Sequence, residues 1–215
     1  MEDQRVPRGD RYGILLILLA VVVLLVPVEN TLLRPVVAAL LGAVLLFAQR
    51  TSGARRLVIL VSMVLVVLSV VASAVSQIAE DREATMAYSA IVVILCLGTI
   101  ATIAAHLIRD PSLDVHIVLG VIVVYLLLGY AFSGVYAFMG ARDGVFFAQT
   151  DAIHSSVDFF YFSFITITTT GFGDLTPLTD TGKMIAAFEA LIGQVYLVTV
   201  VALAVSGVTN RRRAA

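Results

Sequence analysis

Six runs of mainly apolar residues, each close to the length that spans a bilayer, decide most of what this chain can become. A helix needs about 20 such residues to cross the hydrocarbon core, with about 17 as the lower limit. The runs are 12–28, 32–48, 57–79, 86–108, 115–139 and 183–208. With 60% hydrophobic and 13% charged residues over 215 positions, and a mean hydropathy of +1.02, a water-soluble core cannot hide so much apolar side chain. Lipid must be the solvent, and the expected fold is all-α and multi-pass. The first two runs are short, and Pro27 and Pro35 flank a tight turn at Glu29 and Asn30, so they read as a helical hairpin.

Charge sets the orientation. With the N-terminus inside, the inner segments hold Arg5, Arg8, Arg11, Arg50, Arg55, Arg56, Arg109, Arg211, Arg212 and Arg213. The outer ones hold Arg34, Arg82, Arg142 and Lys183, so ten of the 14 basic residues lie inside. Both termini are therefore expected in the cytoplasm of a cell-membrane protein. Arg5 to Arg11 before GILLILLAVVVLLV resemble a secretion signal, but VPVENTLL lacks the small-residue pair that cleavage requires, so retention is expected.

A seventh apolar segment, 157–168, is too short to cross and must enter and return. It leads into TITTTGFGDLTP, residues 166–177. The β-branched run through Thr168, Thr169 and Thr170 disfavours a helix, and Gly171 and Gly173 permit backbone angles that other residues resist. Irregular backbone at membrane depth survives only when buried in protein or lining a water-filled path. Extended backbone with alternating glycines can turn successive carbonyl oxygens to one side. Several copies meeting on an axis then stack oxygen rings that replace the hydration shell of a cation. The Thr169 hydroxyl can add one more oxygen at the inner end. Ser155 or Ser156 can cap the short helix, with Asp158 in its first turn favourable against the dipole.

On these residues the segment closely resembles the potassium-channel signature of the pore-loop, or tetrameric cation channel, superfamily, in its bacterial form. The core reads Thr169-Thr170-Gly171-Phe172-Gly173, followed by Asp174. Thr170 stands where valine is usual, and Phe172 where tyrosine is usual. The resemblance implies that backbone carbonyls hold potassium at Thr169, Thr170, Gly171 and Phe172, with Asp174 at the filter mouth. It also implies filter support from Tyr161, Phe162 and Thr168. Ile165 takes the place of an acidic residue that pairs with the filter aspartate in some relatives. Gly193 lies 20 residues after Gly173 (193 − 173), where such channels place an inner-helix hinge, and EALIGQVYL around it also resembles bacterial members. Gln194, Leu197, Val201 and Val205 would then line the pore.

The resemblance covers about 115–208. It implies six transmembrane helices, with a pore helix and filter loop between the fifth and sixth, and two parts: a four-helix domain at 1–110 and a pore domain at 111–215. One chain supplies one loop, so a homotetramer in the lipid bilayer is expected, with potassium as the permeant ion and no cofactor. The fourth run, MAYSAIVVILCLGTIATIAAHLI, has no Lys or Arg before Arg109, so it lacks the charges of a voltage sensor. Only NRRRAA follows Thr209, and no soluble regulatory domain is expected there.

Glu189 lies inside the sixth run, where an ionisable residue is functional or tightly paired. It either braces the filter from behind or faces the cavity, and the pore-side pattern that the resemblance implies favours bracing. The histidines at 106, 116 and 154 read as solvated interfacial residues, though His154 precedes the pore helix on the outer face and can sense pH. Tyr12, Tyr88 and Tyr136 fall near run ends, where an interfacial aromatic belt would place them. Cys96 is alone, so no intrachain disulfide exists. No nucleophile–base pair or metal-ligand spacing appears, so neither an enzyme nor a nucleic-acid partner is expected. The competing readings are a weakly selective monovalent cation channel, a subunit of a potassium uptake transporter, and a non-conducting membrane scaffold or receptor.

Overall fold

The computed structural model describes residues 8–26, 33–109, 115–149 and 155–202. They form seven α-helices: α1 (Arg8–Leu25), α2 (Arg34–Thr51), α3 (Arg56–Ile78), α4 (Arg82–Arg109), α5 (Val115–Asp143), α6 (Ser156–Ile167) and α7 (Asp180–Val195). A π-helical segment, Tyr196–Val201, continues α7. The chain is all-α; a single isolated bridge, between Phe147 and Pro177, is the only β-pairing among the described residues.

By length and composition four helices can cross a membrane: Arg34–Thr51, Arg56–Ile78, Arg82–Arg109 and Val118–Asp143. Tyr12–Leu25 and Ser156–Ile167 are shorter apolar helices. The last helix starts three residues before the expected run, because the Thr179 hydroxyl accepts the Gly182 N–H at 3.1 Å and caps it.

Packing explains which face of each helix is apolar. In α3 the residues buried are Ser62, Ser69 and Ser73, while Leu57, Val64, Val67, Val71 and Ile78 are exposed. That inversion suits a helix whose outer face meets lipid and whose small polar face lets a neighbour approach. The main core joins Leu15 and Leu19 of α1, Leu41 and Leu45 of α2, Leu95 and Ile103 of α4, and Val123 and Leu127 of α5. Inside it, the Gln49 amide donates to the Thr99 hydroxyl at 3.1 Å, tying α2 to α4.

A second cluster is almost wholly aromatic. Tyr136, Phe146, Phe147, Phe159 and Phe162 surround the start of α6 and fix it against α5. Backbone bonds from Ala148 N–H to the Thr176 carbonyl (2.9 Å) and from Leu178 N–H to the Phe146 carbonyl (2.8 Å) pin the segment after α5 to the segment before α7. At the other end of α2, the Arg34 guanidinium donates to the Ser156 hydroxyl at the start of α6.

Two of the tyrosines expected at a lipid interface face inward instead. Tyr12 is buried and shares a hydrogen bond with the Ser52 hydroxyl at 3.2 Å, and Tyr136 is fully buried beside Glu189. Each phenol found a buried polar partner in the protein, which satisfies its hydroxyl without interfacial water.

Candidate functional site

The site is the turn of chain that follows α6. Its helix begins with a capping box: the Ser155 hydroxyl accepts the Asp158 N–H at 3.3 Å, and the Asp158 carboxylate accepts the Ser155 N–H at 3.0 Å. Ser155 is thus the cap, and Ser156 is the first helical residue. At the far end the chain folds back on the last turn. Thr169 N–H donates to the Thr166 carbonyl at 2.9 Å, and Thr170 and Gly171 both donate to the Ile165 carbonyl, at 2.8 and 3.1 Å.

The backbone then alternates. Thr169, Gly171 and Gly173 have φ of 56°, 52° and 79°, while Thr170 and Phe172 between them stay on the negative side. Glycine takes such angles freely. Thr169 does not: a β-branched residue there is an outlier that only its surroundings can hold. Alternating positive and negative φ breaks the every-other-side pattern of a β-strand, the condition for carbonyls to gather on one side. Residues 168–174 are all exposed within the single chain, Phe172 at 71%.

The surrounding side chains divide between those at the loop and those packed into the helices. The Tyr161 phenol donates to the Asp174 carboxylate at 2.8 Å. Phe162, one residue on, turns the other way into the aromatic cluster, with ring centroids 5.0 Å from Tyr136 and 5.2 Å from Phe147. The Thr168 hydroxyl donates to the Phe164 carbonyl at 2.6 Å and lies 3.0 Å from the Thr170 hydroxyl, so both threonines are engaged beside the loop. Ile165 is buried.

Glu189 is fully buried, between α5 and α6. Its carboxyl group meets the Tyr136 hydroxyl at 2.5 Å and the Ser163 hydroxyl at 2.5 Å, and Ser163 also reaches the Gly129 carbonyl at 2.8 Å. Gly193 packs against the end of α6 so tightly that a Cβ there would lie 2.0 Å from the Ile167 carbonyl oxygen. Gln194 and Leu197 are exposed. For Val201 only the backbone is described; Val205 and His154 lie outside the described residues.

Sequence reasoning missed the hydroxyls that tie the helices around the site together. Tyr125, Tyr136, Ser163 and Tyr196 each place a hydroxyl on a partner in another helix. No periodic signal marks them, since each looks like an ordinary member of an apolar run. No group of three His, Cys, Asp or Glu side chains that could hold a metal ion occurs among the described residues.

Comparison with known proteins falls on this same region. Residues 117–210, somewhat under half of the chain, match the family described as ion channel. A protein of Methanocaldococcus jannaschii named hyperpolarization-activated voltage-gated potassium channel is 46% identical over 56 residues, 26% of this chain and 27% of that protein. Potassium channel K1 of Plasmodium berghei is 38% identical over 72 residues, 34% of this chain and 4% of that protein. Two pore potassium channel a of Oryza sativa subsp. japonica is 38% identical over 85 residues, 40% of this chain and 22% of that protein. The chain thus spans about a quarter or less of the length of these relatives. Each is named for a channel and none for an enzyme. No solved structure gives a significant match to the chain. Together with four helices of membrane-crossing length, the matched family marks a multi-pass membrane protein.

Proposed function

We propose that this chain is one subunit of a potassium-selective channel that conducts passively through a ring of four identical chains. The observation that carries the reading is the alternation of left-handed φ at Thr169, Gly171 and Gly173 on a strip exposed along its whole length. Four such strips around an axis supply carbonyl oxygens from Thr169, Thr170, Gly171 and Phe172. Those oxygens substitute for the water that a potassium ion must shed. The C-terminal end of α6 abuts the foot of the strip, and its negative pole favours a cation there.

An exposed apolar stripe on α7 supports assembly. Met184, Phe188, Leu191 and Val195 recur at helical spacing and are all exposed in the single chain. A second copy is the partner that covers such a stripe beside the filter. In this reading α1 to α5 and α7 with its continuation are the six crossings, α6 is the re-entrant pore helix, and both termini are cytoplasmic. Residues 1–110 form the peripheral four-helix part and 111–215 the pore. Potassium is substrate, and no cofactor takes part.

Purified protein reconstituted in planar bilayers tests this directly. Under bi-ionic conditions the reversal potential should report potassium and rubidium as far more permeant than sodium. Equal permeability to sodium would make the protein a weakly selective cation channel, and electrically silent bilayers would favour a scaffold.

A further inference from the structure

The Ile167 carbonyl meets one hydrogen-bond donor and one close-packed glycine. It is the last carbonyl of α6, two residues before Thr169, and no backbone N–H takes it in the fold-back of residues 168–171. Tyr125, on α5, donates its hydroxyl to it at 3.0 Å. Gly193 of α7 packs against the same oxygen, too close for any side chain. The carbonyl that sets the angle at which the chain leaves the pore helix is therefore oriented by one phenol and one glycine.

The Tyr125 ring has its own support. It stacks on Tyr196, with centroids 5.7 Å apart and planes at 26°. Tyr196 donates its hydroxyl to the Val121 carbonyl at 2.7 Å, one helical turn before Tyr125 on the same face of α5. Tyr196 is also the first residue of the π-helical segment. A π turn holds one residue more than the α-helix accommodates, costs stability, and is found where side chains must be re-aimed. Here the widened turn brings Tyr196 onto α5 and under the Tyr125 ring.

We infer that Tyr125 is a positioning residue for the filter: it fixes the Ile167 carbonyl at the filter's foot and is itself held in place by the π-helical turn at Tyr196. The inference rests on the potassium-channel reading and adds to it a physical path. The path runs from the inner helix through two stacked phenols to the residue that precedes the threonine run. A change of the inner helix from π to α at Tyr196 rotates that side chain away by about 100° per residue of register, and Tyr125 loses its support. The foot of the filter then loses the donor that sets its angle.

Barium block tests this, because barium has about the size of potassium with twice its charge and reports the innermost oxygens of the filter. Tyr125→Phe keeps the ring and the stack and removes only the hydroxyl. It should weaken barium block by at least about fivefold, the worth of the one net hydrogen bond that each copy loses, while the tetramer stays intact on size-exclusion chromatography. Tyr196→Phe, which removes only the bond to Val121, should weaken block in the same direction. The double variant should fall short of the product of the two single effects, because both act through one path. Barium affinity unchanged in Tyr125→Phe, or two single effects that simply multiply, would overturn the inference. A wild-type protein that passes no potassium, or ignores barium, would instead overturn the channel reading beneath it.

Discussion

The hydroxyl of Tyr136 lies 2.5 Å from the carboxyl group of Glu189, in the fully buried seam where α5, α6 and α7 meet. Ser163 completes the seam, reaching both Glu189 and the Gly129 carbonyl. Three helices that touch through one acid cannot move independently at that level.

Ser163 has a single proton for two acceptors. An amide at position 189 offers an N–H to the serine oxygen, so the serine proton can go to Gly129, and its carbonyl still accepts from Tyr136. Glu189→Gln should therefore assemble and melt close to wild type. Glu189→Ala leaves a cavity and strands the Tyr136 hydroxyl, while Ser163 keeps the Gly129 carbonyl, a loss of roughly 2–4 kcal/mol. Thermal unfolding in detergent separates the two. Equal loss in both variants would show that the seam requires a charge.

Gly171 and Gly173 sit at φ of 52° and 79°, and each faces open space. Alanine there meets no clash within the chain and suffers only the left-handed backbone, about 1–2 kcal/mol per residue, repeated in each copy of the proposed ring. Gly171→Ala and Gly173→Ala should fold and assemble but lose the preference for potassium over sodium. Reversal potentials under bi-ionic conditions check this.

Thr169 adopts φ of 56° although it is β-branched. If its hydroxyl is a ligand at the inner end, Thr169→Ala should weaken barium block while leaving the pore open to potassium. The same variant keeps a Cβ, so it does not relieve the backbone. Undiminished block would remove the hydroxyl from the site.

For Gly193 the structure offers a reason for glycine other than flexibility. A methyl group would lie 2.0 Å from the Ile167 oxygen, closer than any contact a folded chain accepts. Gly193→Ala should therefore separate α7 from the end of α6 and abolish both assembly and current. A variant that assembled normally and merely gated more slowly would favour a hinge.

Voltage should matter little. Along α4, Arg82 and Glu83 stand at the start and Arg109 at the end, with no Lys or Arg between Arg82 and Arg109. Each charge moved through the field contributes about 2.3 kcal/mol per 100 mV, and α4 carries no Lys or Arg between its ends. The conductance–voltage relation should be shallow; a steep one carrying several charges would contradict this.

What the sequence made legible was local. Apolar runs announced the helices within a few residues, because lipid imposes a length that needs no partner to be read. The Thr169 to Asp174 stretch announced irregular backbone, since glycines at alternate positions state their own angles. The seam was not legible. Glu189 stood out as a charge in an apolar run, but Ser163 and Tyr136 lie 26 and 53 positions away and resemble their neighbours. Tyr125 and Tyr196, 75 positions from Val121 in the latter case, were hidden for the same reason. Thr169 looked like a ligand rather than a strained residue, because the strain is a property of the fold around it. The register change at Tyr196 has no composition signal.

The exposure of residues 168–174 in the lone chain has a genetic consequence. If four copies share one filter, no copy owns a working one. A cell making equal amounts of a sound chain and a filter-defective chain that still assembles would form all-sound rings at a frequency of about one in sixteen, by random mixing into closed fourfold rings. A defect in this short strip would then behave as dominant, whereas a defect that prevents assembly would not.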